Sequence, residues 1–254
     1  MNDLNYVIYS HSDYSDVLKI QTDYTFGIDN KILLIDEQFN DNEIISKYKK
    51  VLRYDDKLPY SNRLLSLNEL DFKYILLIHD IDILLSYDNN FISSCVKKMD
   101  EMNIDRIDLQ YYPPHWNPNT NRIDLNFGDK TVKLVKQEDI NGFIYNVNPS
   151  IWKLKTLINL MENFQNRTYR NIEMLDVQIF LSKFNVYKLY NDHFLQVGYF
   201  KCLNEFVFLH ISHTGMFLPK TNNDLPSEIQ ITYKSIIEKY LQNSNKNFRT
   251  TMHG

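Results

Sequence analysis

Two aspartates one residue apart, Asp80 and Asp82, interrupt an apolar run: Lys73-Tyr74-Ile75-Leu76-Leu77-Ile78-His79-Asp80-Ile81-Asp82-Ile83-Leu84-Leu85. A run this apolar belongs to a strand buried on both faces, and such strands lie at the middle of a mostly parallel sheet. Carboxylates placed there are costly unless a positive group meets them. At the carboxyl end of a central strand, where open α/β sheets bind their ligands, that group is commonly a divalent metal holding a phosphate. If the strand continues through the pair, both acids point to one face. If it ends at Asp80, the pair opens a loop and the second acid grips the metal directly. A solvated strand end is the ordinary alternative, and the apolar Ile78 before and Ile83-Leu84-Leu85 after disfavour it.

Three other groups of residues could do chemistry. Glu173 and Asp176, three apart in Asn171-Ile172-Glu173-Met174-Leu175-Asp176, share a helical face. Acids at a helix N-terminus are also favoured by the dipole without any chemistry. His210-Ile211-Ser212-His213-Thr214-Gly215 pairs two histidines with a glycine that lets the chain turn closely. Phe206, Phe208 and His210 share a strand face, which puts His210 inside. Trp116, after Tyr111-Tyr112-Pro113-Pro114, sits in an expected loop where it could serve as a stacking platform, whereas Trp152 reads as core.

Bulk properties narrow the field. The chain has 254 residues and a formal charge of −4, which argues against a general nucleic-acid binder. Its 18 Tyr and 15 Phe serve either a core or stacking platforms, and composition does not separate those uses. The opening Met1-Asn2-Asp3-Leu4-Asn5 has no signal-peptide pattern, and Asp80 and Asp82 break the best candidate for a membrane span. Two cysteines, Cys95 and Cys202, suit a reducing compartment, so a cytoplasmic protein is expected.

The elements that must position these residues read as an α/β alternation. Strands are expected at Asn5–Ser10, Lys31–Ile35, the run ending at Asp80, Arg106–Tyr111, Phe143–Val147, Val186–Tyr190 and Phe206–His210. Helices are expected at Asp41–Leu52, Tyr60–Leu70, Asn89–Met102, Pro149–Asn163, Asn171–Lys183 and Pro226–Leu241. Arg122–Lys136 turns at Phe127-Gly128-Asp129-Lys130 as a β-hairpin. No repeat or linker divides the chain, so one domain is expected over residues 1–241, with 242–254 as a flexible tail.

Two enzyme classes place an Asp-x-Asp after a buried strand. Haloacid-dehalogenase-type phosphatases want Thr or Val two residues beyond the second acid, where Leu84 stands, and no later acid pair completes their site. The segment better resembles the Asp-x-Asp of metal-dependent glycosyltransferases of the GT-A fold, the small viral or bacterial, chlorovirus-like type being nearest. Val7-Ile8-Tyr9-Ser10 resembles their first strand, Ile32-Leu33-Leu34-Ile35-Asp36 their second, and Tyr60-Ser61-Asn62-Arg63 the stretch whose Arg approaches the diphosphate. The likeness runs in order and spacing from Asn5 to His213, though only the Asp-x-Asp is sharp.

The resemblance implies a GT-A-like, Rossmann-like mixed central sheet flanked by helices. It implies transfer of a sugar from a nucleoside diphosphate, UDP above all, to a hydroxyl of a glycan or glycoconjugate. Asp82, with Asp80 and His213, would hold Mn²⁺ or Mg²⁺, hard ions suited to carboxylate oxygens. Tyr9, Ser10, Asp36, Arg63 and Asp80 would contact the nucleotide. Asp176 or Glu173 would take the proton of the acceptor hydroxyl in an inverting reaction. Asn148, in the turn Asn146-Val147-Asn148-Pro149-Ser150, would join Trp116 around the sugars. A binding module with a spent site, or a metal-dependent nucleotidyltransferase, is the alternative; scarce glycine, 6 in all, disfavours the latter's phosphate loop.

Overall fold

The computed structural model describes residues 4–25, 28–86, 88–111, 122–137 and 144–190, with short stretches at 201–202, 207–210, 212–213, 216–217, 231, 234–236 and 238. The first half runs β1 (Leu4–Tyr9), α1 (Ser15–Tyr24), β2 (Lys31–Asp36), α2 (Asn42–Ile45), β3 (Lys50–Tyr54), α3 (Tyr60–Leu64), β4 (Tyr74–His79), β5 (Asp82–Ser86) and α4 (Asn89–Glu101). There follow β6 (Arg106–Tyr111), β7 (Arg122–Phe127), β8 (Lys130–Lys136), β9 (Ser150–Lys153), α5 (Leu154–Asn163), α6 (Leu175–Leu181) and β10 (Val186–Tyr190). Short strands β11 (Lys201–Cys202), β12 (Val207–His210), β13 (Ser212–His213) and β14 (Met216–Phe217) complete the described chain.

A nine-stranded mixed sheet, in the order β3-β2-β1-β4-β9-β6-β10-β8-β7, carries the fold. β3, β2, β1 and β4 are parallel, while β9 runs antiparallel between β4 and β6. Period-two alternation sends β4 side chains to both faces. Tyr74, Leu76 and Ile78 meet Phe91, Ile92, Cys95 and Met99 of α4 on one side. Ile75 and Leu77 join Leu64 of α3 and Leu157, Leu160 and Met161 of α5 on the other. This is the expected α/β sheet flanked by helices. After β1 the strand order grows one way through β2 and β3, and β4 then adds on the opposite side of β1. The order therefore reverses between the carboxyl ends of β1 and β4, where such sheets open a ligand crevice.

Several expected elements differ. Asp41–Leu52 is not one helix. Asp41 caps a short α2 by accepting from the amides of Glu43 (3.0 Å) and Ile44 (3.2 Å), and the chain then extends into β3. The apparent stripe was accidental, since Ile44 and Tyr48 pack on one face of the sheet and Leu52 on the other. Tyr60–Leu70 is helical to Leu64 and tightens to a 3₁₀ turn over Leu65–Glu69, with Leu64, Leu67 and Leu70 buried as expected. No strand forms over 144–147, and Phe143 lies outside the described residues. The strand falls instead at Ser150–Lys153, where a helix was expected, because Ile151 and Trp152 fill the slot between β4 and β6. The helix over Asn171–Lys183 breaks at Met174, whose ψ of 163° is extended. The hairpin turns at Gly128 with φ of 58°, which suits glycine. The tail 242–254 lies outside the described residues, as does all but a few positions of Pro226–Leu241. Among the described residues no helix is long and apolar enough to cross a membrane.

Candidate functional site

The apolar run ends as the second geometry requires. β4 stops at His79, Asp80 and Ile81 turn, and Asp82 begins β5, which leaves the main sheet to pair antiparallel with β12. Asp80 and Asp82 are 6% and 3% exposed at the crevice between β1 and β4. The first acid is held by β1: the Asp80 amide donates to the Tyr9 carbonyl (3.0 Å), and Ser10 Oγ donates to Asp80 Oδ2 (2.5 Å). The second is held through its backbone. Gln21 of α1 donates Nε2 to the Asp82 carbonyl (3.1 Å) and accepts the Leu84 amide at Oε1 (3.3 Å), as a neighbouring strand would.

The expected nucleotide residues gather at the same strand ends, most of them in supporting contacts. Ser10 is buried, and its carbonyl accepts from Tyr54 Oη (2.6 Å). The Asp36 carboxylate, fully buried, accepts the amides of Ser12 (2.6 Å) and Gln38 (3.1 Å) and so shapes the loop after β1. Tyr9 stacks on Tyr54 at 5.6 Å, and burial pushes its hydroxyl above the usual phenol range. Arg63 donates Nε to the Leu58 carbonyl (2.7 Å), Nη1 to Tyr9 Oη (3.3 Å), and Nη2 to the Asp56 carbonyl (2.5 Å) and carboxylate (3.0 Å). His11 accepts the Asp13 amide at Nδ1, so its Nε2 donates to Asp56 (2.6 Å). That hydrogen bond, more than the charge of Arg63, holds the Asp56 carboxyl below its ordinary range.

Across the crevice lie residues that the sequence reading passed over. His79, beside Asp80, packs against Tyr9 (5.1 Å), Tyr60 (5.7 Å) and Tyr169 (5.5 Å), and its Nε2 shares a hydrogen bond with Tyr60 Oη (2.9 Å). Burial raises the Tyr169 hydroxyl well above the usual phenol range, and the negative charges of Asp82, Glu173 and Asp80 add to the rise. Glu173 accepts the Val147 amide at Oε1 (3.0 Å), whereas Asp176 is exposed and paired with Arg167. Glu173 is thus tied to the 144–150 stretch and Asp176 to Arg167.

The 144–150 stretch is clamped from below. Fully buried Arg106 donates to the carbonyls of Ile144 (2.6 Å) and Asn146 (2.9 Å), to Asn146 Oδ1 (2.8 Å) and to Ser150 Oγ (2.9 Å). Asp108 meets Lys188 at 3.4 Å and accepts from Asn146 Nδ2 at 2.7 Å, and burial lowers the pKa of Arg106. Gln178 adds a bidentate grip on the backbone of Tyr145 (2.7 and 3.0 Å). Half-buried Asn148 belongs to this clamp: its amide donates to Asn146 Oδ1 (3.1 Å) and its carbonyl accepts from Ser150 Oγ (2.6 Å). A sequence signal existed, since Arg106 and Asp108, two residues apart, share one face of β6, and Lys188 stands opposite Asp108 in register.

Strand pairing sets His210 opposite Asp82, while His213 pairs with Met216 in the β13–β14 ribbon. Trp116 and Gly215 lie outside the described residues. Among the described residues no group of three or more His, Cys, Asp or Glu side chains is gathered to hold a metal. The donor chemistry still fits Mg²⁺ or Mn²⁺, which take one or two carboxylates and complete their shells with phosphate and water.

No protein-family model matches the chain, and no curated protein matches it. Solved structures resemble it in chain trace. S. aureus TarS residues 1–349 in complex with UDP-GlcNAc is 11% identical with a TM-score of 0.45, over 77% of this chain and 59% of that one. A cytidylyltransferase from Leptospira borgpetersenii serovar Hardjo-bovis is 11% identical with a TM-score of 0.46, over 96% and 98%. UDP-glucose pyrophosphorylase complexed with UDP-glucose is 8% identical with a TM-score of 0.42, over 74% and 91%. The chain spans only 36% of one TarS structure and 50% of the bifunctional IspDF from Campylobacter jejuni. All these scores are low, and the strand order and pairing define the fold.

Proposed function

We propose that this chain is a glycosyltransferase of GT-A type. It would move a sugar from a nucleoside diphosphate, by preference UDP, to a hydroxyl of a glycan or glycoconjugate. One observation carries the reading: two nearly buried carboxylates sit at the point where the strand order reverses, each fixed by a separate element. Asp82 and Asp80, with His213 or the in-register His210 as further candidates, would hold Mn²⁺ or Mg²⁺, which when bound offsets charge on the departing diphosphate.

The chain's own residues do the rest. Ser10 orients Asp80, and Gln21 fixes the backbone that carries Asp82. Glu173, steadied by the Val147 amide, takes the proton as the acceptor oxygen bonds to the anomeric carbon and the bond to diphosphate breaks. Asp176, turned toward Arg167, is the weaker candidate for that proton.

Calorimetric titration with nucleoside di- and triphosphates and UDP-sugars, with and without Mn²⁺, tests this. Metal-dependent UDP affinity, lost in a folded Asp82→Ala protein, is expected. No nucleotide binding under any metal condition would sink the reading. Binding without UDP release from any donor would instead indicate a binding module, and preference for a triphosphate a nucleotidyltransferase.

A further inference from the structure

We propose that Tyr169 is the platform on which the donor sugar stacks, an assignment that rests on the glycosyltransferase reading and gives this residue a role in sugar selection. Tyr169 is 39% exposed, yet its ring is pinned edge-on by Tyr60 (5.3 Å, 79°) and His79 (5.5 Å, 60°). His79, one of the two rings that hold it, directly precedes Asp80 at the end of β4. Tyr60 and His79 hold the ring in one orientation at low entropic cost while part of the residue stays exposed.

A pyranose has one apolar C–H face and a rim of hydroxyls. It needs a flat apolar wall and nearby hydrogen-bond acceptors, and the crevice offers a tyrosine ring with carboxylates beside it. Bond-making requires the anomeric carbon to lie between the leaving diphosphate and the proton acceptor. The ring of Tyr169 packs against His79, which adjoins Asp80, and Tyr169 precedes Glu173 by one short turn closed by the Asn171 and Ile172 amides on the Thr168 carbonyl. The donor sugar, rather than the acceptor, is the ring that belongs there.

The test compares UDP with a panel of UDP-hexoses in Mn²⁺ by calorimetry, for the wild type, Tyr169→Ala and Tyr169→Phe. In the wild type, at least one UDP-hexose should bind roughly three- to tenfold more tightly than UDP. Tyr169→Ala should erase that increment and leave UDP affinity unchanged, while Tyr169→Phe, which keeps the ring, should retain most of it. If Tyr169→Ala fails to fold by circular dichroism, Tyr169→Leu takes its place, with the same loss expected. An increment that survives in the ring-less variant, or a wild type that binds UDP and all UDP-hexoses alike, overturns the proposal while UDP binding keeps the parent reading alive. A wild type with no affinity for UDP removes both.

Discussion

Gln21 offers the sharpest check on how the acid pair is built. β5 leaves the main sheet immediately after the turn, and among the described residues only one of its edges is paired, by β12. On its other edge the Asp82 carbonyl and the Leu84 amide point the same way, as groups two residues apart in a strand do. A fully buried side-chain amide from α1 meets both. Gln21→Leu keeps the volume and removes one donor and one acceptor. A buried backbone group left without its partner costs about 1–3 kcal/mol, so two cost about 2–6 kcal/mol, less whatever water recovers. Urea unfolding followed by circular dichroism measures the stability loss. Calorimetry on the still-folded fraction measures metal-dependent UDP affinity, which should fall because the strand that presents Asp82 has lost its brace. Gln21→Glu separates packing from hydrogen bonding. It retains an acceptor for Leu84 but sets a buried charge against the Asp82 carbonyl, and should be at least as damaging near neutral pH. A Gln21→Leu protein within about 0.5 kcal/mol of the wild type, with unchanged UDP affinity, would refute the clamp and leave β12 as the sole support of β5.

Arg106→Met should destabilise the protein by about 3–5 kcal/mol, because it strips donors from Ile144, Asn146 and Ser150 and leaves Asp108 and Lys188 to rebalance a buried charge. Chemical denaturation reads this directly, and a loss under 1 kcal/mol would mean that about one hydrogen bond's worth of stability is at stake. Alkaline behaviour follows from the tyrosine cluster. Burial raises Tyr9, Tyr60, Tyr145 and Tyr169 above the unfolded value of 10.0, so their contribution to stability is complete below that pH and is lost as pH climbs through the folded values. Phenolate absorbance should therefore lag in the native protein above pH 10 and rise together with unfolding; early, gradual titration of all tyrosines would contradict the burial.

How much of this was legible depended on whether a signal was local. The run from Tyr74 to Asp82 announced a central strand and an acid pair because double-sided burial leaves an unbroken apolar word. Leu64, Leu67 and Leu70 likewise marked their own buried stripe. Asp41–Leu52 misled because period 3.6 and period 2 coincide over a few residues, and the decision between them rested on whether β2 had a free edge for β3. Ser150–Lys153 was read as helix because its partners, β4 and β6, lie more than forty residues away in sequence for each pairing. The site followed the same rule. Asp80 and Asp82 are neighbours in sequence. Tyr169 and Gln21 act through partners fixed only by the folded chain, and nothing beside them in sequence announces that, whereas Arg106 was marked by Asp108 two residues on.

The placement of charge around the first strand bears on the choice of sugar transfer in the proposed function. A nucleotidyltransferase must cradle a triphosphate, and the usual device is a glycine-rich loop leading into a helix N-terminus, where amides and the dipole face the anion. Here the segment after β1 is Ser10-His11-Ser12-Asp13, and it folds as a 3₁₀ turn over Ser12–Tyr14 that runs into α1. Its amides are already engaged: Ser12 by the Asp36 carboxylate, Asp13 by His11, and Tyr14 by the His11 carbonyl. Asp13, its side chain 84% exposed, and Asp16 bring negative charge to the helix end where phosphate would need positive. A triphosphate entering there would meet two acids and no idle backbone donor in that turn. A diphosphate approaching from the β4 side meets Asp80 and Asp82, carboxylates that a divalent ion can bridge to phosphate oxygens. The engaged amides and the two acids of that turn are the reason the proposed reading takes sugar transfer ahead of nucleotidyl transfer.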